Sequence, residues 1–208
     1  MQLFLIIAAA HFLALLSPGP DFFLVARTSL AEGWRTATGA CLGIALANGL
    51  FIVAAFAGTA VLTPHSAAFT LLQLAGCLYL LYLGALFIRH AGHSGLGTVT
   101  SAQADQGVGT WHRAASRGLL SGLLNPKNAL FYASLASMLS GPYATTGWKT
   151  LYGIWMFGVV LLWDILIAFM IGNPYVLRRF ERVLPWLERI SGGMLIVLAL
   201  GVIAFGLA

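Results

Sequence analysis

The sequence predicts an all-α membrane protein of six transmembrane helices, set as two three-helix inverted repeats, with helices 1 and 4 broken at proline motifs. Three observations point there. Of the 208 residues, 60% are hydrophobic and 8% charged, against about 45–50% and about 25% in an ordinary soluble domain. A soluble core of this size cannot hide so much apolar surface, so hydrocarbon must replace water around most of it. The basic residues fall on one side of the apolar windows, and short motifs recur in order in the two halves of the chain.

A helix crosses the hydrocarbon layer with about 20 apolar residues, and six windows approach or meet that length, at roughly 3–26, 37–62, 67–88, 117–139, 151–171 and 190–207. The first has no Lys or Arg before Arg27, and its apolar run leads through Ser17-Pro-Gly-Pro-Asp21 into further apolar sequence. A cleaved signal peptide is built otherwise, so this window reads as a retained first helix. The second opens on Gly39 and Gly43, and the third carries Gly76 and Gly84, small residues that allow close helix contact. A polar stretch rich in Gly, Ser, Thr and Gln follows and reads as a flexible linker. It divides a single membrane domain into a first repeat, 1–90, a cytoplasmic linker, 91–116, and a second repeat, 117–208. The fourth window is interrupted by Asn125-Pro126-Lys127-Asn128, the fifth carries Asp164 at its middle, and the sixth holds Gly192 and Gly193.

The formal net charge of +5 does not indicate nucleic acid, because the basic residues lie in separate short loops and form no continuous face. It is a topology signal. Crossing at each window places Arg27, Arg35, Arg89, Arg113, Arg117, Arg178, Arg179, Arg182 and Arg189 on one side and Lys149 alone on the other. The positive-inside rule then puts the linker in the cytoplasm and both termini outside it, in the periplasm. Merging or dropping a span would mix the charges. Trp34, Trp111, Trp148 and Trp186 lie near the expected interfaces and read as anchors.

The halves resemble each other at three places. Pro20-Asp21 matches Pro126-Lys127 at an offset of 106, Gly33-Trp-Arg-Thr36 matches Gly147-Trp-Lys-Thr150 at 114, and Gly76 matches Gly192 at 116. Ordered matches at a nearly constant offset indicate an internal repeat. Three spans per half, an odd number, turn the second half upside down relative to the first, an arrangement common in secondary transporters.

The chemistry concentrates at the breaks. Pro18 and Pro20 remove backbone donors and Gly19 adds freedom, so the first helix should stop and restart there. In lipid such a break survives where it is packed in protein or lines a watery cavity. The fragment starting near Asp21 would aim free N–H groups into that cavity, a site for an anion; the alternative is a structural kink. At the matching break stands Lys127, of opposite sign. A charge within a span costs at least about 2.5–3.5 kcal/mol on insertion scales, so it is normally paired, faces a cavity or reaches an interface. Asp21 and Lys127 are therefore expected to flank a central cavity, pairing when it is empty and holding the ammonium and carboxylate of a zwitterion when it is full. The plainer reading of Lys127 is a side chain that snorkels to the interface.

Asp164 shares its helix with no cation, and so must face a cavity, pair across helices or carry a proton. Proton coupling and structural pairing are both open to it. Asn48, at nearly the repeat-related place in the second span, reads as a hydrogen-bonding group between helices. His11 is expected as a core histidine, with a proton relay as the alternative. His90 and His93 lack the further ligands a metal would need. Cys41 and Cys77 sit in apolar runs as small hydrophobes, with no disulfide framework.

At Ser17-Pro-Gly-Pro-Asp21 with Phe22-Phe23-Leu24-Val25 following, at Gly39 to Gly43 and at Asn125-Pro126-Lys127, the sequence resembles the LysE/RhtB family of bacterial amino-acid exporters. The likeness covers the whole chain, including its length, six hydrophobic segments, polar linker and both proline motifs in order. It implies efflux of an amino acid or derivative from the cytoplasm across the bacterial inner membrane, driven by the proton gradient. Members resembling the lysine and arginine exporters place acidic residues in the second span and shortly after the Asn-Pro motif, where this chain offers Asn48 and Phe131. The resemblance therefore favours the threonine, homoserine and leucine branch and a neutral substrate. The expected substrate-binding residues are Ser17, Gly19, Asp21, Asn48, Asn125 and Lys127; Asp21 and Asp164 are expected to couple protons, and Pro18, Pro20 and Pro126 to break the helices.

A membrane-embedded enzyme would need a nucleophile with its base, a metal-ligand set or paired acids, and the sequence has no H-E-x-x-H, G-x-S-x-G or cysteine cluster. No cofactor or metal is expected. The expected partners are a small amino acid and the lipid bilayer, without nucleic acid; a homodimer is compatible with the sequence. The alternatives are a channel-like or scaffold membrane protein, or an exporter of a basic amino acid.

Overall fold

The computed structural model describes residues 2–16, 19–61, 66–92, 110–138, 145–171 and 174–206. Ser17, Pro18 and most of the linker lie outside the described residues. The described elements are all helices: α1 (Gln2–Leu16), α2 (Pro20–Glu32), α3 (Trp34–Val61), α4 (Ala67–His90), α5 (Trp111–Leu124), α6 (Pro126–Met138), α7 (Thr146–Ile171) and α8 (Pro174–Gly206). Each of the two proline motifs thus separates a pair of short helices, α1 from α2 and α5 from α6.

Local chemistry sets these ends. Pro20 and Pro126 each open a helix, where a missing N–H costs nothing. α2 closes on Gly33, whose φ of 86° suits only glycine and whose N–H donates to the Ser29 carbonyl at 3.1 Å. α5 starts at Trp111, inside the stretch read as linker, because the Thr110 hydroxyl accepts the Arg113 N–H and caps the helix. α8 starts at Pro174, well before the apolar window at 190, and continues through Pro185. Its charged first half stays helical where it docks: buried Glu188 accepts the N–H of Gly92, just past the end of α4, at 2.9 Å.

By length and composition, three helical stretches among the described residues can cross a membrane, namely Trp34–Gly58, Thr146–Ile171 and Arg182–Gly201. The pair α1–α2, bent by 53° at its break, makes four, and Leu74–His90 is a shorter apolar helix. The outer surface fits hydrocarbon. Val53, Leu162 and Val197 are each about two-thirds exposed or more, at 67%, 69% and 71%, and such a surface in water would be one continuous apolar patch.

α3 stands at the centre and packs on α2, α5, α6 and α7. Its contact with α5 is the closest in the molecule's interior. A Cβ added at Gly39 or Gly43 would collide with the backbone of Trp111, Ala115 or Leu119, and one at Gly118 with the backbone of Ala40. Small residues on both helices let the backbones meet. α4 and α8 meet in a reciprocal way: a Cβ on Gly84 would lie 2.6 Å from the Gly192 carbonyl oxygen, and one on Gly192 would lie 2.6 Å from that of Gly84. Gly76, the glycine matched to Gly192 by sequence, packs instead on Ser134 of α6, whose hydroxyl donates to the Gly76 carbonyl.

Two apolar clusters form the core. One gathers Ile7, Leu80, Phe131, Leu135, Tyr152 and Leu195 from α1, α4, α6, α7 and α8. The other gathers Phe22, Val25, Ile44, Val160 and Ile167 from α2, α3 and α7. The buried polar side chains of His11, Asn48, Asn125 and Asp164 line a pocket that takes walls from both clusters.

Candidate functional site

The pocket is lined from five helices and the first break. His11, Ala14 and Leu15 come from α1, Gly19 from the break, Asp21 and Phe22 from α2, and Ile44 and Asn48 from α3. Asn125 precedes α6, which gives Lys127, Asn128, Phe131 and Tyr132, while α7 gives Val160, Trp163 and Asp164. All three charges that the sequence places inside spans, Asp21, Lys127 and Asp164, therefore border one cavity. So do Gly19, Asn48 and Asn125.

The two breaks are tied across each other. Asp21, at the start of α2, receives the Ser121 hydroxyl at 2.6 Å on one carboxylate oxygen. Its other oxygen receives the side-chain amides of Asn125 at 3.0 Å and Asn128 at 2.8 Å. All three donors belong to the second break. In return Lys127, from the second break, sends its ammonium to the first, where it donates to the Ala14 carbonyl at 3.1 Å. The last carbonyls of α1 are exposed by the break and attract a cation. The same ammonium lies 5.0 Å from the centre of the Phe87 ring, a favourable cation–π distance. No ion pair joins Asp21 to Lys127 among the described residues, where the recorded pair is Arg117 with Glu32 at 2.8 Å.

The starts of the two second fragments differ. At α6 the Asn125 side-chain oxygen accepts the Lys127 N–H at 3.1 Å, so that helix brings its own cap. At α2 the cap position is Gly19, which has no side chain to offer and lines the pocket in extended backbone. A Cβ on Gly19 would sit 3.7 Å from the Lys127 nitrogen. The start of α2 and the Lys127 ammonium thus share one corner of the cavity, where the ammonium supplies positive charge and Asp21 stands at the second position of the helix.

The opposite character comes from α7. Asp164 is 8% exposed, and its Oδ2 receives no hydrogen bond among the described residues. His11 is also buried; its Nε2 lies 3.1 Å from the Tyr132 hydroxyl, while its Nδ1 has no partner among the described residues. Its ring stands among Phe131, Tyr132 and Trp155, as expected of a core histidine. Asn48 does not reach a neighbouring helix through its amide nitrogen, which donates back to the Ile44 carbonyl of α3 at 2.8 Å. That bond adds a second donor to a carbonyl of its own helix, and the residue lines the cavity.

Sequence reasoning passed over Ser121, Asn128 and Tyr132. With Asn125 they stand at spacings of four, three and four residues, which places them along one face when the helical register carries through the break. A polar stripe through an apolar window was the signal.

The family described as LysE type translocator matches residues 12–205. The chain belongs to this family. It is therefore a translocator and a multi-pass membrane protein, and not an enzyme. This LysE-family chain is 29% identical over 202 residues to the threonine efflux protein of Escherichia coli K12, covering 93% of this chain and 94% of that one. It is 31% identical over 121 residues to the leucine efflux protein of Klebsiella pneumoniae, across 58% of this chain and 55% of that protein. With the homoserine/homoserine lactone efflux protein of Salmonella typhi it shares 34% over 121 residues, 58% of this chain and 56% of that one. No solved structure matches the chain.

Proposed function

We propose that this LysE-family chain exports an amino acid or amino-acid derivative with an uncharged side chain from the bacterial cytoplasm across the inner membrane, in exchange for protons. The observation that carries the reading is one pocket bordered by the Lys127 ammonium beside the start of α2, by the buried acid Asp164, and by apolar and neutral polar side chains. A zwitterion needs both charged ends. Its side chain would lie against groups such as Ile44, Val160 and Phe22, which favours an apolar or hydroxylated chain over a cationic one. Efflux of threonine, leucine and homoserine, named for the relatives, supports the substrate class.

In this reading the chain crosses six times as two inverted three-span halves. α1–α2 and α5–α6 are the matching broken spans, both termini are periplasmic, and the linker is cytoplasmic. The nine arginines on one side of the crossings support that orientation. Lys127 holds the substrate carboxylate, and a carboxylate of the pocket holds its ammonium and exchanges with protons. The crosswise ties between the breaks are the contacts that alternate opening would break and remake.

Counterflow tests the proposal. Purified protein in liposomes loaded with one amino acid is expected to accelerate entry of trace labelled threonine, homoserine, leucine or a close relative, saturably and in a pH-dependent way. Exchange of lysine or arginine alone would overturn the neutral substrate. Flux that is not saturable and ignores the proton gradient would make the protein a channel.

A further inference from the structure

We infer that the substrate's ammonium group docks on Asp164, through its unpartnered Oδ2, and that this same oxygen carries the coupling proton, so that ammonium and proton exclude one another at one atom. The inference rests on the amino-acid exporter reading above and names the residue at its core.

Two carboxylates border the pocket, and their surroundings differ. Asp21 is already occupied: Ser121, Asn125 and Asn128 supply three donors to its two oxygens, and each comes from the facing break. A carboxylate so satisfied holds α2 against the second break, and an ammonium would have to displace neutral donors to reach it. Asp164 is more than nine-tenths buried on a long unbroken helix, with one oxygen that no described group meets. Leaving such an oxygen bare in the interior is costly. A ligand that brings N–H donors and a positive charge removes that cost, and so does a proton.

The helices packed around the pocket bring these polar and titratable groups to the surroundings of Asp164. α1 gives His11, bonded to Tyr132; α2 gives Asp21, bound as described; α3 gives Cys41 and Asn48; and α6 gives Lys127 and Tyr132. Lys127 is the cation among them, and one of its N–H groups donates to the Ala14 carbonyl of α1. The exchange balances simply. Protonated Asp164 loses its proton to water as the ammonium arrives, and the departure of substrate frees the carboxylate to take up one proton from the other side. A single site that holds one or the other at a time is sufficient for antiport.

The test uses full-length protein in liposomes, with threonine, homoserine and leucine as probes. In the wild type, protons are expected to compete with the probe in counterflow. The half-saturating concentration should rise as pH falls through the titration of the site while the maximal rate holds. The variant Asp164→Asn should raise half-saturation by about tenfold or more, the loss expected of a charged hydrogen bond, and should abolish the pH dependence. Asp164→Glu should keep the pH dependence. If the wild type shows inhibition by protons through the maximal rate alone, the shared atom is overturned, whether or not the variants fold. If Asp164→Asn loses its pH response but keeps its affinity, Asp164 carries only protons and ammonium docking is overturned. If none of the amino acids exchanges in the wild type, the exporter reading itself fails.

Discussion

Asp21 shows how an acidic side chain is accommodated inside an apolar protein. Its cost is offset by three short hydrogen bonds and by its place at the start of α2, where the helix dipole favours a negative charge. The donors are as important as the acid. Ser121→Ala and Asn128→Ala are each expected to lower stability by about 1–3 kcal/mol, since each leaves a carboxylate oxygen short of a partner. Melting of the purified variants in detergent measures it, and melting temperatures equal to wild type would remove the structural role given to Asp21. The charges of the site were legible in the sequence because a charge within an apolar run is expensive and therefore conspicuous. Ser121 and Asn128 were not, because a neutral polar residue in a helix carries little penalty. Their shared face emerges only when the register across Pro126 is known.

Among the elements, the α3–α5 contact carries the tightest geometric demand. Gly43→Leu or Gly118→Leu would drive a side chain into a facing backbone, which is expected to cost about 1–3 kcal/mol or more and to reduce the folded protein recovered from membranes. Gly158, on α7, has nothing within 4 Å of a Cβ. Gly158→Ala is therefore expected to be neutral or to stabilise by about 0.5–1 kcal/mol through helix propensity, and size-exclusion profiles of the three variants separate the cases. The sequence showed Gly39 and Gly43 as a contact surface but not the helix they meet, since small residues announce closeness without naming a partner. Element ends were read less well than element centres. Apolar length locates a membrane helix, but α5 and α8 begin in polar sequence, where the Thr110 cap and the docking of Glu188 decide.

For the whole molecule, the crossed ties between the breaks join the two parts of the chain, and in the proposed function the charge asymmetry sets the orientation in the membrane. Alkaline phosphatase fused after residue 208 is expected to be active, and the same enzyme inserted between residues 93 and 109 inactive; the reverse pattern would invert the topology and with it the direction of transport. The two helix breaks were legible because the proline motifs recur. A cavity flanked by Asp21 and Lys127 was expected as well; that Phe22, Ile44, Val160 and Trp163 wall it was not, because that depends on how α2, α3 and α7 pack. Transport against a gradient is the central claim. Everted inner-membrane vesicles, energised by respiration so that their lumen is acidic, test it most directly. Vesicles containing the protein are expected to accumulate labelled threonine, homoserine or leucine above the outside concentration, saturably, and to lose that accumulation when a protonophore is added. Equilibration without accumulation, unchanged by the protonophore, would contradict it.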